Sequence, residues 1–348
     1  MNREREMRIL AEKPLNAETP VAALRSWITA NSFFFHRNQS ELKTAVSLTG
    51  WKMAVEGEVE TPREFSFDEI LRYPKAICAN TLECSGNGRS LLRQKASGNP
   101  WTIGGVGNAV WGGVWLKELL QIVKPKEHAR HVAFEGMDEP YGTAKLKFIR
   151  CIPLEKALTS TLLAYEMNGE PLPLAHGFPL RALALGWAGA NCCKWLKKMT
   201  VLDRPYEGHY MDRVYRVFQK GQDSKSGDVV TQLPLKSFIT QPLPGEILKP
   251  GKIVILGTAY GGERTLSRVD VSADGGQTWS PAEFIGPNEP FAWRQWQYVW
   301  AAGKKGTYCL LARAVDSGGN QQPMEALWNV LGYGNNGVQE HAISVFVV

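Results

Sequence analysis

The chain has 348 residues, 44% of them hydrophobic and 21% charged, with 12 Trp, enough to bury substantial cores in two domains and to exclude disordered and fibrous classes. The net charge of +6 sits in the first part of the chain: residues 1–227 hold 31 Lys and Arg against 24 Asp and Glu, whereas 228–348 hold 9 against 10. That field suits an anionic small molecule, and with no Lys/Arg stripe interleaved with aromatics, nucleic acid is not an expected partner.

The N-terminus, MNREREMRILAEKPLN, is charged where a secretory leader would be apolar, and no run reaches the roughly 18–20 apolar residues of a membrane span. A cytoplasmic protein without a membrane span is the expectation from the sequence as it stands, or a periplasmic one if an export signal has been removed. A short helical stretch is predicted at ETPVAALRSWI, with Thr19 as its N-cap ahead of Pro20. From 46 to 220, short apolar strands alternate with helical pieces such as VWLKELLQIV and SFDEILRY, where Ser66 and Glu69 have the spacing of a capping box. The pattern is mixed α+β, and lacks the βαβ rhythm and GxGxxG turn of a dinucleotide fold.

Past Gly221 the texture changes. GQDSKSGD reads as a linker, and LKSFITQP, GKIVILGTAY, LSRVDVSADGGQTW, RQWQYVWAA, TYCLLARAVDSGGNQQ and HAISVFVV read as short strands separated by turn residues. Such a series over about 120 residues predicts an all-β immunoglobulin-like sandwich. The domains are therefore set at 1–225 and 226–348.

The six cysteines (78, 84, 151, 192, 193 and 309) show no CxxC pair, and free thiols in a reducing compartment are expected. Cys84 stands out, in ANTLECSGNGRS, where a strand-like run ends in a glycine-punctuated turn carrying Asn87 and Arg89. A buried Cys is most often an inert small hydrophobe. A thiolate is also a soft ligand for a transition metal, and an adjacent guanidinium favours the thiolate while offering a fork for an oxyanion. Further polar residues stand where packing does not call for them: Arg37 after an aromatic run in FFFHRNQ, Asp138 in FEGMDEPYG, His176 and Arg181 in HGFPLR, and Lys194 in GWAGANCCKW. Singly, each is more often a turn residue or a solvated charge. Together, an imidazole, a guanidinium and an ammonium within 19 residues on glycine-rich backbone suit a phosphate.

These segments, with NPWTIGGVGNAVWGGVWLKELL and LLAYEMNGEPLPLAHGFPLRALALGWAGANCCKWLKKMTV, resemble the sulfite oxidase family of molybdenum enzymes over nearly the whole chain. The resemblance implies a mixed α+β domain binding molybdopterin and molybdenum, followed by an immunoglobulin-like domain through which two chains form a homodimer. It implies Cys84 as the molybdenum ligand, and Phe35, Asn38, Asp138, His176, Arg181 and Lys194 as residues around the pterin and its phosphate. Arg37, Arg89, Trp101 and Tyr215 match the substrate pocket. The implied reaction is oxidation of sulfite to sulfate by oxygen-atom transfer, in which fixed guanidiniums position the dianion. No CxxCH haem motif occurs, so electrons are expected to pass to oxygen or to a separate carrier.

Two positions depart from the family pattern. Gln39 stands where many animal-type relatives carry His, and Leu331, in WNVLGYGNN, stands where they carry a further substrate-pocket Arg. The departures leave open another small sulfur substrate, a sulfane or a sulfoxide. A non-catalytic binding protein is the reading from a different class, which molybdenum content independent of Cys84 would favour.

Overall fold

A computed structural model describes residues 6–42, 45–140 and 146–348. Tyr141 and Gly142, at the end of the Asp138 segment, lie outside the described residues. The first part of the chain is built on two sheets. One orders its strands Ile149–Pro153, His131–Gly136, Leu196–Leu202, Lys52–Gly57 and Arg63–Ser66, all antiparallel except the central Leu196–Leu202/Lys52–Gly57 pair. The other orders Glu170–Pro171, Thr161–Met167, Val106–Trp115 and Ala76–Glu83, with Arg181–Ala184 also paired to Thr161–Met167.

Helix Leu116–Val123 turns Leu116, Leu119, Leu120 and Val123 inward, the i, i+3, i+4, i+7 stripe of a helix with one buried face. These side chains share a core with Met53, Val55, Phe65, Phe134 and Met199 of the first sheet and Leu163 of the second. A separate core of Phe34, Phe35, Leu82, Trp101, Trp111 and Leu183 lies around Cys84. Truncating one of these buried Trp or Phe side chains costs about 3–5 kcal/mol, so the shape of the wall beside that thiol is strongly held.

The strands predicted after the linker form two facing sheets, as expected. One runs Lys236–Gln241, Gly251–Tyr260, Arg294–Ala302 and Glu283–Ile285; the other runs Ile247–Leu248, Ile343–Val347, Gly306–Asp316, Leu266–Ser272 and Ser280–Pro281. Ile255, Val269, Val271, Trp296, Leu310 and Val345 fill the space between them. The architecture is a mixed α+β domain followed by a β-sandwich.

Three local expectations need correction. Val21–Arg25 is a 3₁₀ turn with Pro20, not Thr19, at its cap, and the buried Thr19 hydroxyl has no partner. Pairing of the Thr19 N–H with the Gly104 carbonyl at 2.9 Å takes that residue into the neighbouring loop. Half of the capping box forms: Ser66 Oγ accepts from the Glu69 N–H at 3.2 Å, while the Glu69 carboxylate pairs with Arg63. The linker-like GQDSKSGD is pinned. Ser224 is buried and donates to the Asp212 carbonyl at 3.0 Å, and Arg216 donates to the Gly227 carbonyl at 2.7 Å.

Candidate active site

Cys84 follows directly on strand Ala76–Glu83, and the turn after it is tied at both ends. The Cys84 N–H donates to the Gly105 carbonyl, and the Asn87 N–H to the Cys84 carbonyl, each at 2.8 Å. Gly88 then takes φ +83°, a left-handed conformation for which Gly carries no steric cost, and its N–H reaches the Thr102 carbonyl at 2.6 Å. The thiol is 6% exposed and lines a concave pocket.

Phe34, Phe35, Arg37, Asn38, Gln39, Leu82, Ser85, Asp138, Phe148, His176, Arg181, Gly189, Ala190, Cys192, Lys194, Trp195 and Tyr215 complete the wall. Nine of the eleven residues singled out from the sequence therefore converge on one cavity: Cys84, Arg37, Tyr215, Phe35, Asn38, Asp138, His176, Arg181 and Lys194. Arg89 and Trp101 do not line it. Arg89 Nε donates to the Leu331 carbonyl and its Nη1 to the Asn99 carbonyl, both at 2.8 Å, with the guanidinium 5.4 Å from the Tyr333 ring. Trp101 is fully buried behind Phe35, edge to face at 6.2 Å.

Chain geometry explains the basic cluster. His176 ends the 3₁₀ turn Leu174–His176, and Gly177 at φ +117° sends the chain back. Arg181 opens strand Arg181–Ala184, whose Ala182 N–H pairs with the Cys193 carbonyl at 2.8 Å, and the Trp195 N–H returns to the Gly177 carbonyl at 3.2 Å. Lys194 is thereby folded over His176 and Arg181. Its Nζ bonds the Asn38 side-chain oxygen and, at 3.0 Å, the Ala175 carbonyl, while Arg181 Nη1 bonds the His176 carbonyl at 2.8 Å.

His36, which the sequence reading passed over, stacks on His176 with ring centroids 4.8 Å apart and planes 4° from parallel. Burial lowers both imidazoles, His36 to about 4 and His176 well below its ordinary value, with Lys194 adding repulsion to each. Both rings are neutral near pH 7. Burial, then Arg181, brings Lys194 down to about 7, and burial brings Arg181 down to about 10. Burial also raises the Asp138 carboxyl above its ordinary value.

On the opposite side, Arg37 Nη1 is held by Asn16 Oδ1 at 3.1 Å and by the Asn38 carbonyl, and its Nη2 lies 3.5 Å from the Tyr215 hydroxyl. Burial opposes the charge on Arg37, but the Tyr215, Tyr333 and Tyr210 phenols and the Cys84 sulfur outweigh it and hold the guanidinium above its ordinary value. Arg37, rather than Arg89, shares the cavity with Cys84. Gln39 Nε2 donates to the same Tyr215 hydroxyl at 2.9 Å. Tyr215 takes φ +57°, an outlying conformation for a bulky residue, and stacks on Tyr333 at 5.4 Å. Leu331 packs beside this pair together with Phe148 and Tyr210.

Tyr333, Phe148 and Cys192 were also missed in sequence. Tyr333 and Cys192 sit two residues from positions that were noticed, so a search of those segments for side chains able to face the same pocket was the available signal. Phe148 carried none.

The residues fit a buried anionic group. Three lining side chains are Arg or Lys and one is an acid, and the Arg181 Nε is buried with no partner. An unpaired buried donor of this kind costs about 1–3 kcal/mol, a penalty that a phosphate oxygen removes. Among the described residues no group of three His, Cys, Asp or Glu side chains could hold a metal, so a metal at Cys84 would bring most of its ligands with it.

Comparison with known proteins agrees with this chemistry. The family described as oxidoreductase molybdopterin binding domain matches residues 40–210, and that described as Mo-co oxidoreductase dimerisation domain matches residues 227–345. Mitochondrial sulfite oxidase of Rattus norvegicus is 36% identical over 366 residues, covering 98% of this chain and 66% of the relative; the chain thus spans just under two thirds of that protein's length. Sulfite oxidase of Arabidopsis thaliana is 32% identical, covering 95% of this chain and 92% of the relative. The crystal structure of the sulfane dehydrogenase SoxCD from Paracoccus pantotrophus superposes with a TM-score of 0.84 at 27% identity, covering 99% of this chain and 91% of that one. With both family models matched in order along the chain and a relative 32% identical over 92% of its own length, the chain belongs to the sulfite oxidase family of molybdopterin-dependent oxidoreductases.

Proposed function

We propose that this chain oxidises sulfite to sulfate at a molybdenum centre ligated by Cys84, and passes the electrons to oxygen or to a separate carrier. The observation that carries the reading is the single cavity in which the Cys84 thiol, the Arg37 guanidinium and the Tyr215 hydroxyl meet an excess of cations over acids. His176, Arg181, Lys194, Asn38, Asp138 and Phe35 would hold the pterin and its phosphate, and Cys84 would supply the soft protein ligand. When bound, the cofactor supplies the oxygen transferred and a two-electron couple; overall, sulfite and water give sulfate, two protons and two electrons.

The chain's own part is position and field. Arg37, fixed through Asn16 and Asn38, presents one guanidinium edge to an anionic oxygen. Tyr215 accepts from Gln39 and Arg37, which use its two lone pairs and leave its proton to donate into the cavity. Phe148, Tyr333 and Leu331 keep that side apolar and strengthen both contacts by excluding water.

A second substrate reading has its own support. Arg89 is turned onto backbone carbonyls and Leu331 offers no charge, so of the arginines matched to the substrate pocket Arg37 alone lines the cavity. That suits a less charged sulfur compound such as a sulfane, in line with the likeness to the sulfane dehydrogenase.

We place the boundary between the domains at 225/226 and assign dimer formation to the sandwich, where Val254 and Val299 face each other across paired strands, 41% and 53% exposed. A monomeric mass by light scattering at micromolar concentration would count against the dimer. Among the described residues no helix is long and apolar enough to cross a membrane. The substrate is tested by sulfite-dependent reduction of ferricyanide with wild type and Arg37→Ala: a large loss in kcat/KM supports sulfite, and indifference supports the less charged substrate.

A further inference from the structure

Lys236 begins the first strand of the sandwich, 153 residues from Glu83, yet it has no exposed surface and its ammonium is paired with the Glu83 carboxylate, itself 3% exposed. Glu83 is the residue immediately before Cys84. Its Oε1 also accepts from Asn87 Nδ2 at 2.9 Å. The other end of that amide, Asn87 Oδ1, accepts from the Gly105 N–H at 2.9 Å, and the Asn87 N–H closes the turn on the Cys84 carbonyl at 2.8 Å. Gly105 returns its carbonyl to the Cys84 N–H at 2.8 Å. Every polar atom of the Asn87 side chain is thus committed to holding the thiol's turn, and the carboxylate that orients it is fixed from the other domain.

We propose that Lys236 is a positioning residue for Cys84, acting through Glu83 and Asn87, so that the sandwich domain sets the pose of the metal-binding thiol. A buried ion pair is weak support for stability, since two apolar side chains of similar volume often serve as well. Here the pair is part of a closed hydrogen-bonded loop around one side chain, where it defines geometry. The second buried cation joining the two domains, Lys156 paired with Glu263, bonds Ser160 and the Leu185 carbonyl and does not touch the Cys84 turn, which makes it the natural control.

The inference rests on Cys84 being the metal ligand, but its test reads the thiol directly. The full chain is produced in a host that makes no molybdopterin, treated with iodoacetamide, and the alkylation rate of each cysteine is followed by peptide mass. The Glu83→Gln/Lys236→Met double variant leaves no lone buried charge and keeps the fold; Lys236→Met alone is the second variant. Loosening of the turn is expected to speed alkylation of Cys84, 6% exposed in the wild type, at least tenfold in both. Cys151, 5% exposed in strand Ile149–Pro153, stays within twofold and reports global unfolding, and Lys156→Met leaves Cys84 within twofold. A Cys84 rate within twofold of wild type, or one rising only in step with Cys151 or equally in Lys156→Met, overturns the proposal. Failure of the ligand role shows separately, as molybdenum retained by Cys84→Ser protein from a cofactor-producing host.

Discussion

Replacing Arg37 by Ala removes the guanidinium proposed to meet the substrate. Its Nη1 is committed to Asn16 and Asn38, and its Nη2, with one N–H directed at the Tyr215 hydroxyl at 3.5 Å, keeps its other N–H to meet an anion. One charge-assisted hydrogen bond contributes about 1.5–3 kcal/mol. At about 1.4 kcal/mol per factor of ten, kcat/KM for sulfite should fall about 10- to 150-fold. The loop should hold, because the Asn38 N–H keeps its own 3.0 Å bond to Asn16 Oδ1, so molybdenum content should match wild type. Steady-state ferricyanide reduction, with molybdenum measured on the same samples, reads both quantities, and Arg37→Lys should recover part of the loss because it keeps the charge without the fork. Arg89→Ala is the contrast: it frees the Leu331 and Asn99 carbonyls and should lower Tm while leaving KM for sulfite within about threefold. A loss below threefold in Arg37→Ala with full molybdenum, or a loss wholly matched by lost molybdenum, would refute the assignment of Arg37 to substrate.

Lys194 makes cofactor-free stability depend on pH. Its folded value of about 7 lies below the ordinary 10.5, first through burial and then through Arg181. Between those values the unfolded chain binds more protons, so this contribution rises with pH from about 7 to 10.5 and is lost as pH falls through 7. The Tm of cofactor-free wild type should therefore rise relative to Lys194→Met between pH 7 and pH 9.5; a constant difference would contradict the burial argument. A pterin phosphate restores a counter-charge, so Lys194→Met should also load less molybdenum. Leu331→Arg adds a guanidinium beside Tyr215 and should lower KM for sulfite about tenfold, one charge-assisted contact's worth. An unchanged or higher KM in steady-state assays would argue that Leu331 does not border the substrate.

The sandwich strands were readable because their apolar residues alternate between turns such as DGG and SGG, and the structure pairs them over the lengths expected. The basic cluster was readable because His176, Arg181 and Lys194 are close in sequence and one reversal of the chain at Gly177 brings them together. Arg89 was placed in the substrate pocket by the family resemblance. The carbonyl that turns it away belongs to Leu331, 242 residues distant, and no local pattern carries that information. The same holds for Lys236 and Glu83 and for the stacking of Tyr333 on Tyr215, all of which depend on how the two domains meet. GQDSKSGD has the composition of a linker, yet Arg216 and Ser224 hold it against the preceding turn. Composition reports what a segment can do alone, and neighbouring carbonyls decided otherwise.

The most direct test of the account is molybdenum content together with sulfite-dependent ferricyanide reduction, for wild type and Cys84→Ser from a host that makes the cofactor. The account predicts about one molybdenum per chain with turnover on sulfite in the wild type, and loss of turnover in the variant. Wild-type protein without molybdenum, or a Cys84→Ser variant that keeps both metal and turnover, would contradict it.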